Sequence, residues 1–306
     1  MKTNEKQKGI NLMQINKHGS FYIRNGWPTK IIDSIKSDSF IFSPNNELNA
    51  VDEIGVGRVM IKAMRYWAIV MGLSVETKTQ QGVSHTLSSL GTLISKYDPY
   101  CLDIGTLWLL HRNLSCDKNN ATAWYWVFNE FGTKLFTKDT FSVDFLTFLQ
   151  RNGEKYTKTA VEKEFDCFKN TYVSDRTFSF EKIVNEETIP FFAPLKLIQY
   201  IGDGHFEMRK SLIEDIPFDI IFYCILSDNY EHLTNSTQIS IDTLLEKTRQ
   251  IGKYMNLSYA TLLEALQQLE NNSVLSLINN FGNRYIQVKR NDPDNVLLNY
   301  FKNISR

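Results

Sequence analysis

What this chain lacks narrows it first. Its 306 residues hold four cysteines, Cys101, Cys116, Cys167 and Cys224, scattered with no paired spacing, which argues against a disulfide framework and a zinc site. No stretch approaches the apolar length needed to cross a bilayer, so no membrane association is expected. Residues 1–17 are polar and basic without the apolar run of a secretory signal, and read as a flexible lead-in of a cytoplasmic protein. There is no Walker lysine loop, no zinc-protease helix and no dinucleotide turn, since Gly55-Val56-Gly57 lacks a third glycine at the required spacing. Zinc, nucleotide and organic cofactors are therefore not expected. Net charge is missing too: 34 basic residues balance 34 acidic ones, which argues against a protein that coats nucleic acid indiscriminately.

The balance hides a gradient. Before position 75 the lysines and arginines outnumber the acids, while from Glu181 to Asp242 the acids dominate. The basic N-terminal part is the candidate nucleic-acid face, and the acidic part is left for a protein partner or solvent. With 42% hydrophobic and 13% aromatic residues, a chain of this length supports two or three packed units.

Within the basic part, VGRVMIKAMRYWAIVM (56–71) separates into two faces at about 100° per residue. Met60, Ala63, Met64, Trp67, Val70 and Met71 fall on one side, and Arg58, Lys62 and Arg65 on the other. Glu47 to Ile54 suits a preceding helix, Gly55-Val56-Gly57 a sharp turn, and residues 74–87 the strands and loop of a wing. The unit reads as a winged helix-turn-helix whose second helix meets DNA phosphate through its basic side. A solvated basic face is the plainer alternative. Ser88 to Tyr97 then reads as a helix ending before Pro99.

Ile104 to Asn113 and Ala121 to Phe131 are dense in aromatics and form a helical hairpin at the centre. Trp108, Trp124, Trp126 and Phe128 read as core rather than as base-stacking platforms. Thr140 to Tyr172 suits a second helix-turn-helix with mixed charge outside. Residues 176–194, polar and ended by Pro190 and Pro194, read as a linker. Beyond it, Pro217 to Ser227, Ile241 to Met255 and Ser258 to Asn271 read as helices, followed by a hairpin of residues 274–278 and 284–289. This is a second winged unit whose third helix carries no lysine or arginine, so its nucleic-acid contacts would fall to Arg284, Lys289 and Arg290, with partner docking an equal alternative. The expected fold is mainly α, with several winged helix-turn-helix units around the aromatic hairpin. Its units are 18–100, 101–175 and 195–306.

The strings HGSFYIRNGWPTK (18–30), IGVGRVMIKAMRYW (54–67), YDPYCLDIGTLWLLHRNL (97–114), ATAWYWVFNEF (121–131) and DCFKNTYV (166–173) resemble a bacterial SspB-like family. That family includes the DNA-nicking component of a DNA-phosphorothioation phage-defence system, and the resemblance spans about the first 175 residues. It implies double-stranded DNA, sulfur-inserting and DNA-cutting proteins as partners. The family opening reads His-Glu-Ser-Phe, and Gly19 stands here in the glutamate's place; a chemical role for that glutamate would take nicking away from this chain.

A metal-dependent nickase needs convergent carboxylates, often with a lysine or histidine, to hold Mg²⁺ or Mn²⁺ and orient water. Asp98, Asp103, His111 and Glu130 lie in the family-like strings and are the catalytic candidates, with metal ligands left open. Structural roles compete for each: a turn at Asp98, a helix N-cap at Asp103, a satisfied interfacial histidine at His111, and an exposed Glu130. His18, Ser20, Arg24 and Lys30 form a second candidate group that suits a phosphate. Two readings stay open: a DNA-binding subunit that nicks one strand, and a non-enzymatic winged-helix adaptor that binds DNA and docks protein partners or a second copy of itself.

Overall fold

The computed structural model describes residues 13–173, 189–280, 282–289 and 292–305. Among these the chain is mostly helical with three small antiparallel sheets. Helices α1 (Trp27–Ser37), α2 (Glu47–Ile54) and α3 (Arg58–Val70) lead into a hairpin of β1 (Ser74–Thr79) and β2 (Gly82–Leu87), in a register that sets Glu76 opposite His85. Gly55 ends α2 at φ 71, which a glycine takes without the Cβ strain that other residues meet there, so the two helices meet in a tight turn. On α3 the buried residues are Ile61, Ala63, Met64, Trp67, Ala68 and Val70, close to the apolar face read from the sequence.

Helix α4 (Ser89–Tyr97) starts from Ser88, whose hydroxyl accepts from Gly91 N. Then come α5 (Ile104–Cys116) and α6 (Thr122–Asn129), the expected aromatic hairpin. All eight residues of α6 are buried, and Trp124 packs edge-on against Trp67 at 5.5 Å between ring centroids. Strand β3 (Leu135–Thr137) precedes α7 (Lys138–Arg151) and α8 (Lys158–Tyr172), whose phenylalanines extend the same aromatic core through Trp126 and Phe128.

Past the undescribed interval, β4 (Ile198–Gly202) and β5 (His205–Met208) pair with each other, and β5 also takes β3 as its other neighbour. The remaining elements are α9 (Phe218–Asp228), α10 (Tyr230–Asn235), β6 (Gln238–Ser240), α11 (Ile241–Glu246), α12 (Ile251–Tyr254), α13 (Tyr259–Asn271), β7 (Leu275–Asn280), β8 (Asn283–Val288) and α14 (Pro293–Ile304). Strand β8 is the centre of the third sheet, in the order β6-β8-β7. No described helix is long and apolar enough to cross a membrane. All four cysteines are free thiols.

Three expectations need correction. Residues 241–255 are two helices, because Lys247 is extended (ψ 139) and Arg249 takes φ 62, neither of which a continuous helix admits. The lead-in does not run to residue 17: Met13 and Ile15 are buried, Met13 N donates to Glu154, and Asn16 N donates to Glu164. Phe191 and Phe192, at the end of the expected linker, are buried as well, and residues 176–188 lie outside the described ones. The β3–β5 pairing and the packing of α14 against α4 join residues on both sides of that interval, within one hydrophobic cluster.

A close approach across that interval is at Gly105. Tyr300 from α14 lays its hydroxyl and ring against the glycine, with Ile220 beside it, and donates to Asp103 at 2.7 Å. A Cβ at 105 would collide with both side chains. Gly105→Ala is expected to cost about 2 kcal/mol through overpacking and to lower the melting temperature by ~4 °C. An unchanged melting temperature would refute this close seating of α14.

Candidate nucleic-acid interface and the fate of the catalytic candidates

Helix α3 turns its basic side outward because its other side fills the core. The Arg58 and Lys62 side chains are 58% and 60% exposed. Both are paired to one carboxylate that sequence reasoning passed over: Glu47 of α2 meets Arg58 Nε at 3.1 Å and Lys62 Nζ at 3.3 Å. Arg65, half-buried, donates through Nε and Nη2 to Glu76 Oε2 on β1, at 2.9 and 2.6 Å. The same oxygen lies 3.6 Å from His85 Nε2, and burial pushes the His85 imidazole below its ordinary range. Three cations thus share two carboxylates. Glu76 could have been suspected from the alternation of the wing, where it sits across from His85; nothing in the spacing marks Glu47, which faces α3 only because of the Gly55 turn.

The second candidate group does not assemble at the surface. His18 is fully buried, so its assignment to phosphate is corrected. Its Nδ1 accepts from Ser20 N, which leaves Nε2 to donate to the buried Glu164 at 2.9 Å. The imidazole lies within 5.8–6.3 Å of the Tyr66, Trp67 and Trp124 rings. Arg24 lies over the Tyr22 and Trp27 rings, and Ser20 and Lys30 are exposed. On the C-terminal hairpin, Arg284 and Lys289 are exposed, and Arg284 donates to Tyr259 Oη at 3.1 Å. Arg290 lies outside the described residues.

Three of the four catalytic candidates hold structural positions. Asp98 is buried, and its two oxygens accept from Leu102 N and Asp103 N. Asp103 caps α5 through Thr106 N and accepts from Tyr300. His111 has no exposed surface; its Nε2 donates to the Tyr254 carbonyl at 2.7 Å, so its Nδ1 accepts from Tyr172 Oη at 2.8 Å. Its expected place at a reacting bond is corrected on that ground. Glu130 is exposed. Asp98 and Asp103 share one turn, and His111 lies in the core. Among the described residues, no three or more His, Cys, Asp or Glu side chains gather where they could hold a metal ion.

A family model described as "Protein of unknown function (DUF4007)" matches residues 15–301. The chain belongs to the DUF4007 family. Two solved structures share its fold, one described as "Magnesium ion-bound SspB crystal structure" and the other as "SspB crystal structure". The first matches at 24% identity and a TM-score of 0.79, the second at 23% and 0.77, each covering 96% of this chain and 89% of the other. At such identities the likeness establishes the fold, which is SspB-like. No curated protein matches this DUF4007 chain by sequence.

Burial lowers the His111 pKa from the ordinary 6.5 to about 4, and the Tyr254 carbonyl offsets part of that. The folded pKa lies below the unfolded one. Neutral His111 therefore contributes stability that is complete above pH 6.5 and is lost as the pH falls toward 4, because the unfolded chain takes up the proton first. The loss amounts to about 3 kcal/mol. Denaturant midpoints are expected to fall between pH 7 and pH 4.5, and less steeply in His111→Gln; equal slopes would rule out His111 as the titrating group.

Proposed function

We propose that this DUF4007 chain is a DNA-binding component of a bacterial phosphorothioation defence system. Residues 47–87 and 241–288 act as winged helix-turn-helix units, and the first of them reads the duplex. The observation that carries this is the outward basic side of α3, where Arg58 and Lys62 stand 58% and 60% exposed beside the β1–β2 hairpin. A helix in this position presents cations to backbone phosphates while its hairpin follows the neighbouring groove. The defence-system context is supported by the SspB-like fold and by the family-like strings quoted above. The unit from 195 to 306, whose α13 exposes no lysine or arginine, serves as the docking surface for protein partners.

Mg²⁺ takes oxygen ligands in near-octahedral geometry, with one or two carboxylates and the rest from water or substrate phosphate. One structure that shares the fold is described as magnesium ion-bound, and this favours nicking as a second reading. The four candidates do not gather into such a site: Asp98 accepts from two backbone N–H groups, Asp103 accepts from Thr106 N and Tyr300 through one oxygen, and His111 is enclosed. Neither they nor the exposed Glu130 join a cluster of three or more His, Cys, Asp or Glu side chains that could hold a metal among the described residues. No cleavage step is derived through them, and the adaptor reading is the better supported.

Two outcomes follow. Arg58→Ala and Lys62→Ala are each expected to weaken duplex binding and to reduce the slope of log affinity against log salt by about one; an unchanged slope in both would remove α3 from the interface. Supercoiled plasmid incubated with the protein and Mg²⁺ or Mn²⁺ is expected to stay intact while salt-sensitive binding is seen. Metal-dependent open circles would instead establish the nickase.

A further inference from the structure

Beside the basic side of α3 lies a cleft of about 360 Å³ between α3, β1, the residue 13–17 segment and the turn at residues 117–120. Lys17, Lys62, Arg65, Tyr66, Glu76 and Asn120 line it. Lys17 comes from the part of the chain expected to be a loose lead-in, yet it is held in place. Gln14 N donates to Asn119 O at 2.7 Å, Tyr156 Oη donates to Met13 O, and the Asn16 amide donates to Ala160 O, so the segment carrying Lys17 is tied down on three sides. Lys17 itself is exposed. Three cations from two separate parts of the chain therefore converge on one concave surface, and the carboxylate inside it, Glu76, is engaged by Arg65 through two N–H groups.

That engagement is chemically informative. A guanidinium that offers Nε and Nη2 to a carboxylate oxygen can offer the same two donors to a phosphate, and such charge-assisted bonds are the strong ones. Glu76 is the anion that Arg65 meets within the chain. It also keeps Arg65 oriented while the cleft is empty of ligand, and so reduces the ordering cost of binding.

We propose that this cleft seats one backbone phosphate of a nucleic acid, with Lys17, Lys62 and Arg65 as its ligands and Glu76 as the internal anion that the phosphate displaces from Arg65. This rests on the DNA-binding reading and deepens it. Lys17 extends the interface from one helix face to a pocket with walls. Displacement of Glu76 also makes binding weaker than three cations alone would give, since each incoming phosphate competes with a carboxylate already in place.

The test is fluorescence anisotropy of a short labelled duplex against the full chain at several salt concentrations, for wild type, Lys17→Ala, Glu76→Gln and Arg58→Ala. Arg58 does not line the cleft. Lys17→Ala is expected to weaken binding several-fold and to reduce the salt slope by about one, and Glu76→Gln to tighten binding several-fold. Melting curves check that both variants fold, and Lys17→Met repeats the loss with the stem retained. If Arg58→Ala weakens binding but Lys17→Ala and Glu76→Gln leave affinity and slope unchanged, the cleft assignment fails while the duplex reading stands. If none of the variants changes binding, both fail. Calorimetry with inorganic phosphate separates the sources: phosphate binding that Lys17→Ala abolishes, with duplex binding untouched, would assign the cleft to a free anion and overturn the nucleic-acid ligand.

Discussion

The fold depends on a buried chain of polar contacts that runs through α5. Arg112 grips Asp228 at the end of α9, Tyr254 Oη of α12 donates to the same carboxylate at 2.7 Å, the Tyr254 carbonyl accepts from His111, and His111 accepts from Tyr172 at the end of α8. Four helices distant in sequence are thereby bound to one another through charged and polar atoms in the core. Burial works against the Arg112 charge, and Asp228 together with Cys224, Tyr254 and Tyr223 more than offsets it; burial likewise raises the Asp228 carboxyl, and Arg112 and Tyr254 oppose that. Such a pair contributes little net stability as a unit, but removing one partner costs roughly 3–5 kcal/mol because the other is left buried and unpaired. Its value is geometric, since a slipped helix would leave those groups without partners.

This arrangement explains why chemistry read from the family-like strings turns out to be architecture. Asp98, Asp103 and His111 each sit where helices are joined, and each is engaged in a turn, a cap or a contact with a neighbouring helix. Among the groups open to an outside ligand are the long cations of α3 and the N-terminal segment. Those of α3 are restrained by Glu47 and Glu76, so this basic face is held in shape by neighbouring acids rather than standing as a bare positive stripe.

Local signals in the sequence were strong wherever the chain changes direction by a mechanism confined to a few residues. The Gly55 turn, the apolar side of α3, the Ser88, Asp103 and Ser258 caps and the β7–β8 hairpin all have this character. Helix α1 carries a readable signal that was missed: Pro28 in the first turn, followed by Ile31, Ile32 and Ile35 on one face. What was illegible depends on distance. Strand β3 has three residues and no period to detect, and its partner lies some seventy positions on. The His18–Glu164 contact spans 146 positions, and a lone histidine says nothing of such a partner. The expected phosphate site at His18 failed for that reason, and Lys17 was overlooked because its anchorage comes from residues 119, 156 and 160.

The seating of Tyr300 on Asp103 and Gly105 has a consequence for how the protein is made. Tyr300 and Asp103 are separated by 197 positions. At roughly 5–20 residues per second on the ribosome, the N-terminal end of α5 waits some tens of seconds for the helix that covers it. During that interval Gly105 and Asp103 lack the Tyr300 side chain that packs on them. The packing at the start of α5 is therefore complete only once α14 has been made.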